Sequence, residues 1–160
     1  MSLRLGDTAP DFEQDSTDGR IKFHDWIGNS WAILFSHPKD FTPVCTTELG
    51  EVARLKPEFD KRNTKVIGLS VDGLKEHQGW VGDIKETQGH ALNFPLLADT
   101  DRSVGKAYGT IGGGGLLSAA KAIVGMSDRV TFIIDEKGKI AHVIDSPNTK
   151  NHAEEVLSLL

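Results

Sequence analysis

The sequence predicts an α/β fold in which a mixed central sheet carries helices on both faces and follows an N-terminal extension. Three observations carry that prediction. Short continuous apolar runs, such as Trp31-Ala32-Ile33-Leu34-Phe35 and Phe132-Ile133-Ile134, have the length and composition of central strands buried on both faces. Helical repeats of apolar residues separate those runs. Late in the chain Lys137-Gly138 marks a turn between two strand-like segments, which makes one pair antiparallel.

Taken in order, residues 20–23 alternate polar and apolar side chains as a half-buried strand does, and residues 31–35 form the first central strand. A helix is expected over residues 44–59, with Leu49, Val52, Leu55 and Phe59 on its apolar face. Pro57 falls inside it and predicts a kink or an early end, because proline removes a backbone donor. A second central strand covers residues 65–71, and a second helix covers residues 74–87 with Leu74, Trp80, Val81 and Ile84 facing the core. Strands at residues 94–98, 130–134 and 139–144 follow, and a last helix at residues 151–160 buries Ala153, Val156, Leu157 and Leu160. Strands alternating with helices and closed by a hairpin describe a thioredoxin-like fold. No linker or repeat divides the chain, so residues 1–160 read as one domain.

Composition narrows the function. The chain has 160 residues with 18 Lys+Arg against 23 Asp+Glu, a net charge of −5. Its basic residues are scattered, which argues against a nucleic-acid or anionic membrane partner. No apolar run approaches the roughly 20 residues of a membrane span, and the first residues lack a signal core, so a cytoplasmic, reducing setting is expected. Four consecutive glycines, Gly112 to Gly115, invite a phosphate-loop reading, yet neither GK pair is followed by a hydroxyl residue, and a connector is the better reading. The apolar run at residues 116–124 that comes next reads as core or as an exposed patch used in dimerisation.

There is one cysteine. It excludes an internal disulfide, a Cys-based zinc site and a CxxC pair, so any redox cycle through it needs a second thiol from another molecule. Thr42 is a good helix N-cap and Pro43 suits the first helical position, which puts Cys45 in the first turn. Backbone N–H groups there have no intrahelical partner and favour negative charge, as a reactive thiol requires. Ionisation alone is insufficient. A free thiol is about 3% ionised at pH 7, so complete ionisation gains about 30-fold, or about 2 kcal/mol, against the roughly 8 kcal/mol of even modest enzymes. Further donors must therefore stabilise charge on a departing atom.

The stretch Pro38-x-x-x-Thr42-x-x-Cys45 resembles the peroxiredoxin active-site motif, and residues 35–48 are similar to its one-cysteine branch almost letter for letter. The likeness extends to residues 5–12, 66–72 and 129–135, and the second half, with residues 98–101 and 107–109 as landmarks, is similar to the shorter bacterioferritin-comigratory-type members. The resemblance implies that Cys45 attacks a hydroperoxide and becomes a sulfenic acid. It also implies that Thr42 hydrogen-bonds the peroxide, Pro38 shields the thiol, and Arg129 holds the thiolate and polarises the O–O bond. Glu48, one turn beyond Cys45, is expected to orient Arg129 or to be a solvated carboxylate. In that branch a histidine at the place of His37 has been linked to recruiting the reductant or activating the thiol; a structural role is the alternative. The other histidines, His24, His77, His90, His142 and His152, show no metal spacing and are expected to be solvated or partly buried.

Together these residues predict a thiol-dependent peroxidase with no metal or organic cofactor. It would reduce hydrogen peroxide and organic hydroperoxides, with glutathione, a thioredoxin-like protein or another thiol as external reductant. A homodimer is expected, formed around the active-site loops. The chain departs from the one-cysteine branch in lacking a long C-terminal extension after Leu160. It departs again at Gly28-Asn29-Ser30-Trp31-Ala32, where a lipase-like GxSxG would end in glycine. The alternative is a peroxide-sensing redox regulatory protein that switches binding on Cys45 oxidation. A Cys45–His37 acyl-transfer enzyme is a more distant one.

Overall fold

The computed structural model describes residues 3–37, 43–89, 92–111, 129–145 and 152–160. The expectations for Pro38, Thr42 and His90, for the four glycines and for residues 116–124 lie outside them.

The elements are β1 (Glu13–Ser16), β2 (Gly19–Lys22), α1 (Phe23–Ile27), β3 (Trp31–Ser36), α2 (Pro43–Lys61), β4 (Thr64–Ser70), α3 (Leu74–Gln88), β5 (Leu96–Ala98), α4 (Ser103–Tyr108), β6 (Val130–Ile134), β7 (Ile140–Asp145) and α5 (His152–Ser158). The seven strands form one sheet in the order β2-β1-β5-β4-β3-β6-β7. β3 pairs with β4, and β4 with β5, in parallel, while the other pairings are antiparallel. This is the mixed sheet expected from the sequence.

Side chains alternate across a strand, so β3 divides its apolar residues between two cores. Ala32 and Leu34 join Phe23 and Ile27 of α1 and Val104 and Tyr108 of α4 on one face. Ile33 and Phe35 join Leu49, Val52 and Phe59 of α2, Trp80 and Ile84 of α3 and Val156 of α5 on the other. Both faces are therefore covered, which explains why β3 reads as an unbroken apolar run.

Helix α2 neither stops nor is divided at Pro57: it continues to Lys61. Proline at 57 cannot donate to the carbonyl four residues earlier, that of Ala53. The side-chain amide of Asn93 donates to that carbonyl instead, at 3.4 Å. A donor from a distant segment thus takes the place that the proline leaves, and the helix survives.

Two short helices were not apparent in the sequence. Phe23, read as the end of a strand, opens α1, with its ring stacked on Phe12 at 4.5 Å between centroids. The first turn of α4 is held by the buried carboxylate of Asp99, which accepts the N–H of Val104 at 3.0 Å and of Gly105 at 2.8 Å. Gln14 of β1 donates to the same carboxylate at 3.1 Å, tying the N-terminal hairpin to the sheet. At five and six residues, neither helix is long enough to show a period. The strand expected at residues 94–98 begins only at Leu96. Pro95 has no N–H for the ladder, and only its carbonyl is used, accepting from Gly68 at 3.0 Å. No helix among the described residues is long and apolar enough to cross a membrane.

Candidate active site

Cys45 lies in the first turn of α2, which begins at Pro43. Glu48 follows three residues later and therefore projects from the same side of the helix. Arg129 arrives from elsewhere in the chain: it immediately precedes β6, and the β3–β6 register pairs Ser36 with Val130. That register brings Arg129 to the end of the sheet from which β3 leads toward α2. Sheet pairing and helix pitch converge on one point.

There the guanidinium bridges two groups. Arg129 Nη2 donates to Cys45 Sγ at 2.9 Å, and Nη1 donates to Glu48 Oε2 at 2.8 Å. Cys45 is 1% exposed and Glu48 3% exposed, whereas the Arg129 side chain keeps 16%. Burial works against the charge on Arg129, but the attraction of Glu48 and Cys45 outweighs it and holds the guanidinium above its usual value. Burial pushes the Glu48 carboxyl up, and the nearby guanidinium recovers only part of that. Glu48 is a strong acceptor held out of water beside its cationic partner. Its cost in desolvation is the cost of fixing where the guanidinium points.

This asymmetry has a definite pH consequence. A carboxyl whose folded pKa is raised binds its proton more tightly in the native than in the unfolded chain, so its contribution to stability is present below the ordinary carboxyl value. That contribution is lost as pH rises through the raised folded value. Glu48→Gln cannot titrate. In urea unfolding across a pH series, the stability of the wild type relative to Glu48→Gln is expected to fall as pH rises through that window. A difference independent of pH would show that the Glu48 carboxyl is not raised.

His37 follows β3 directly. It is 1% exposed, its backbone N–H donates to the Leu69 carbonyl at 2.9 Å, and its ring lies 5.0 Å from that of Trp80. The structure thus brings Cys45, Glu48 and Arg129 together and puts His37 against α3, while Pro38 and Thr42 lie outside the described residues. His77 corrects an expectation. Read as solvated or partly buried, it is 0% exposed, and its Nε2–H donates to the Leu97 carbonyl at 2.8 Å. That carbonyl belongs to β5, so α3 is packed onto the sheet through this residue.

One further neighbour of the site was missed. Trp80, counted only as an apolar residue, donates its indole N–H to the hydroxyl of Thr46, the residue after Cys45, at 2.8 Å. A buried tryptophan needs a partner for that N–H, and this was the available signal. Ser30, in the lipase-like stretch, donates to the Ile27 carbonyl at 2.6 Å in the turn before β3. It does not stand on a strand-to-helix elbow. Among the described residues no group of three or more His, Cys, Asp or Glu could hold a metal ion.

Comparison with known proteins identifies the family. The AhpC/TSA family model matches residues 5–143. A 1-Cys peroxiredoxin of Dictyostelium discoideum is 56% identical over 109 residues, covering 68% of this chain and 45% of its own length. The chain therefore spans less than half of that relative. Among solved structures, a yeast mitochondrial 1-Cys peroxiredoxin superposes with a TM-score of 0.83 at 40% identity, over 98% of this chain and 76% of that one. A PrxQ mutant of Xylella fastidiosa gives 0.83 at 28% identity over 99% and 96%. The motif around Cys45, the sheet order and a family match over most of the chain lead to one placement: the chain belongs to the AhpC/TSA family, among the peroxiredoxins.

Proposed function

We propose that the protein is a thiol-dependent peroxidase in which Cys45 is the nucleophile and an external thiol completes the cycle. The observation that carries this reading is the guanidinium of Arg129, shared between Cys45 Sγ and Glu48. A cation at a nucleophilic sulfur, anchored from behind by a buried carboxylate, is already in place when charge moves onto a peroxide oxygen. Little reorganisation is then needed during reaction.

The Cys45 thiolate attacks one oxygen of the hydroperoxide. An S–O bond forms as the O–O bond breaks, and the departing oxygen takes a proton and leaves as water or an alcohol. Arg129 is the electrostatic donor and Glu48 its positioning residue. Thr42 as hydrogen-bond partner of the peroxide and Pro38 as shield belong to the same reading on the strength of the motif. His37 is its auxiliary group. The cysteine sulfenic acid then meets no second thiol within the chain, which contains a single cysteine. The structural relative from yeast was solved to explain thiol resolution via glutathione/thioredoxin systems. A reductant of that class suits this protein: one thiol displaces water to form a mixed disulfide, and a second releases Cys45. A reducing compartment follows from that need, and the apolar segment at residues 116–124 supports a homodimer.

Mixing reduced protein with one equivalent of hydrogen peroxide tests the reading. Rapid addition of a single oxygen to Cys45 is expected. A rate no higher than that of a free thiol would overturn it.

A further inference from the structure

Cys45 is 1% exposed, yet under the peroxidase reading, on which this inference rests, its sulfenic acid must be attacked by a thiol from another molecule. A peroxide is small. A thiol such as glutathione is much larger and must approach the sulfur opposite the S–O bond it will break. The first turn of α2 therefore has to move away from the sheet between oxidation and resolution, and whatever holds that turn down sets how often it opens.

The hydrogen bond from Trp80 Nε1 to Thr46 Oγ1 spans two helices, α2 and α3, and both residues are buried. On the other side, the Trp80 ring packs against His37 at 5.0 Å. His37 ends the chain segment that enters the motif, and Thr46 follows the cysteine that closes it. One side chain thus touches both ends of the stretch that surrounds Cys45. Its own position is secured by α3, where His77 bonds to the Leu97 carbonyl of β5 one turn earlier.

We propose that Trp80 is a positioning residue that latches the first turn of α2 through Thr46, and so sets the partition of the Cys45 sulfenic acid between two fates. With the latch closed, only a second peroxide reaches the sulfur; the sulfenate attacks it, a second S–O bond forms as the O–O bond breaks, the departing oxygen takes a proton and leaves as water or an alcohol, and a sulfinic acid results. With the latch open, an external thiol attacks the sulfur, the S–O bond breaks, and water leaves with a mixed disulfide behind it. The latch does not touch the peroxide, so it governs the second step and leaves the first alone.

Two variants remove the hydrogen bond from opposite ends. Trp80→Phe retains an aromatic ring but has no N–H, and Thr46→Val retains the shape but has no acceptor. In each, oxidation of reduced protein by one equivalent of hydrogen peroxide is expected to stay within about twofold of wild type. Resolution of the preformed sulfenic acid by glutathione is expected to quicken by about 3–10-fold, the population change that one lost hydrogen bond allows. Amide hydrogen exchange in residues 46–49, whose N–H groups close the first turn of α2, should quicken to a similar degree, and less sulfinic acid should form when peroxide and glutathione compete. If Trp80→Phe fails to fold, Thr46→Val reads the same bond. Wild-type resolution and exchange rates in a folded variant would overturn the latch. If wild-type Cys45 reacts with peroxide no faster than a free thiol, the peroxidase reading fails instead, and the exchange measurement still decides whether Trp80 holds the turn.

Discussion

Replacing Cys45 with serine is expected to reduce hydroperoxide consumption to the rate of buffer with reductant, while the protein stays folded. The chain has no second thiol to substitute for it. A serine hydroxyl is un-ionised at neutral pH, so the loss should be complete rather than partial. The structural cost is small because the change is nearly isosteric, and the new hydroxyl can accept from Arg129 Nη2 as Sγ does now. Urea unfolding is expected to lie within about 1 kcal/mol of wild type, an ordinary value for a substitution that opens no cavity. Peroxide consumption by a folded Cys45→Ser protein would place the chemistry elsewhere.

The second large effect is that of Arg129→Ala, expected to slow oxidation of Cys45 by about 10²–10³-fold, the loss typical of removing one preorganised donor from developing negative charge. This variant also strands Glu48. With 3% exposure and its cation gone, the carboxylate is buried without charge compensation, a defect worth about 3 kcal/mol or more. Rate and stability therefore fall together, and a second substitution separates them. Adding Glu48→Gln should restore much of the stability and none of the rate, because the stranded charge is removed while the donor stays absent. Arg129→Lys retains the charge but cannot reach Cys45 and Glu48 at once with a planar fork, so it should fall between the two. Stopped-flow oxidation and urea unfolding on the four proteins check the pattern. Recovery of rate in the double variant would show that Arg129 acts only through stability.

The long elements were legible because each repeats a local signal many times. Trp31 to Phe35 is apolar at every position because both faces of β3 are covered, and α2 and α3 show helical spacing over 19 and 15 residues. The place of Cys45 in the first turn of α2 was legible for a related reason. Thr42, Pro43 and Cys45 are near neighbours, so a helix start and its charge preference can be read without knowing what lies across the sheet. Helices α1 and α4 escaped notice because their stability is supplied from outside, by Phe12 in one case and by Asp99 in the other. The early end that Pro57 suggests does not occur for the same reason: the donor that serves the Ala53 carbonyl lies 40 residues away, on Asn93. His77 looked like a surface histidine because its one diagnostic contact, to Leu97, is also remote.

The amino-acid sequence by itself determined that there is a single cysteine sulfur, that it sits at the start of a helix, and that any redox cycle through it needs a thiol from outside this chain. These are matters of composition and of spacing along the chain, and no folding is needed to read them. Only the tertiary structure decided what surrounds that sulfur. The Arg129 contact spans 84 residues, and the Trp80–Thr46 bond spans 34. Both exist because strand register and helix packing bring those segments together. Charge stabilisation and access both depend on groups within a few ångströms of the sulfur, and the fold, through long-range pairing, is what puts them there.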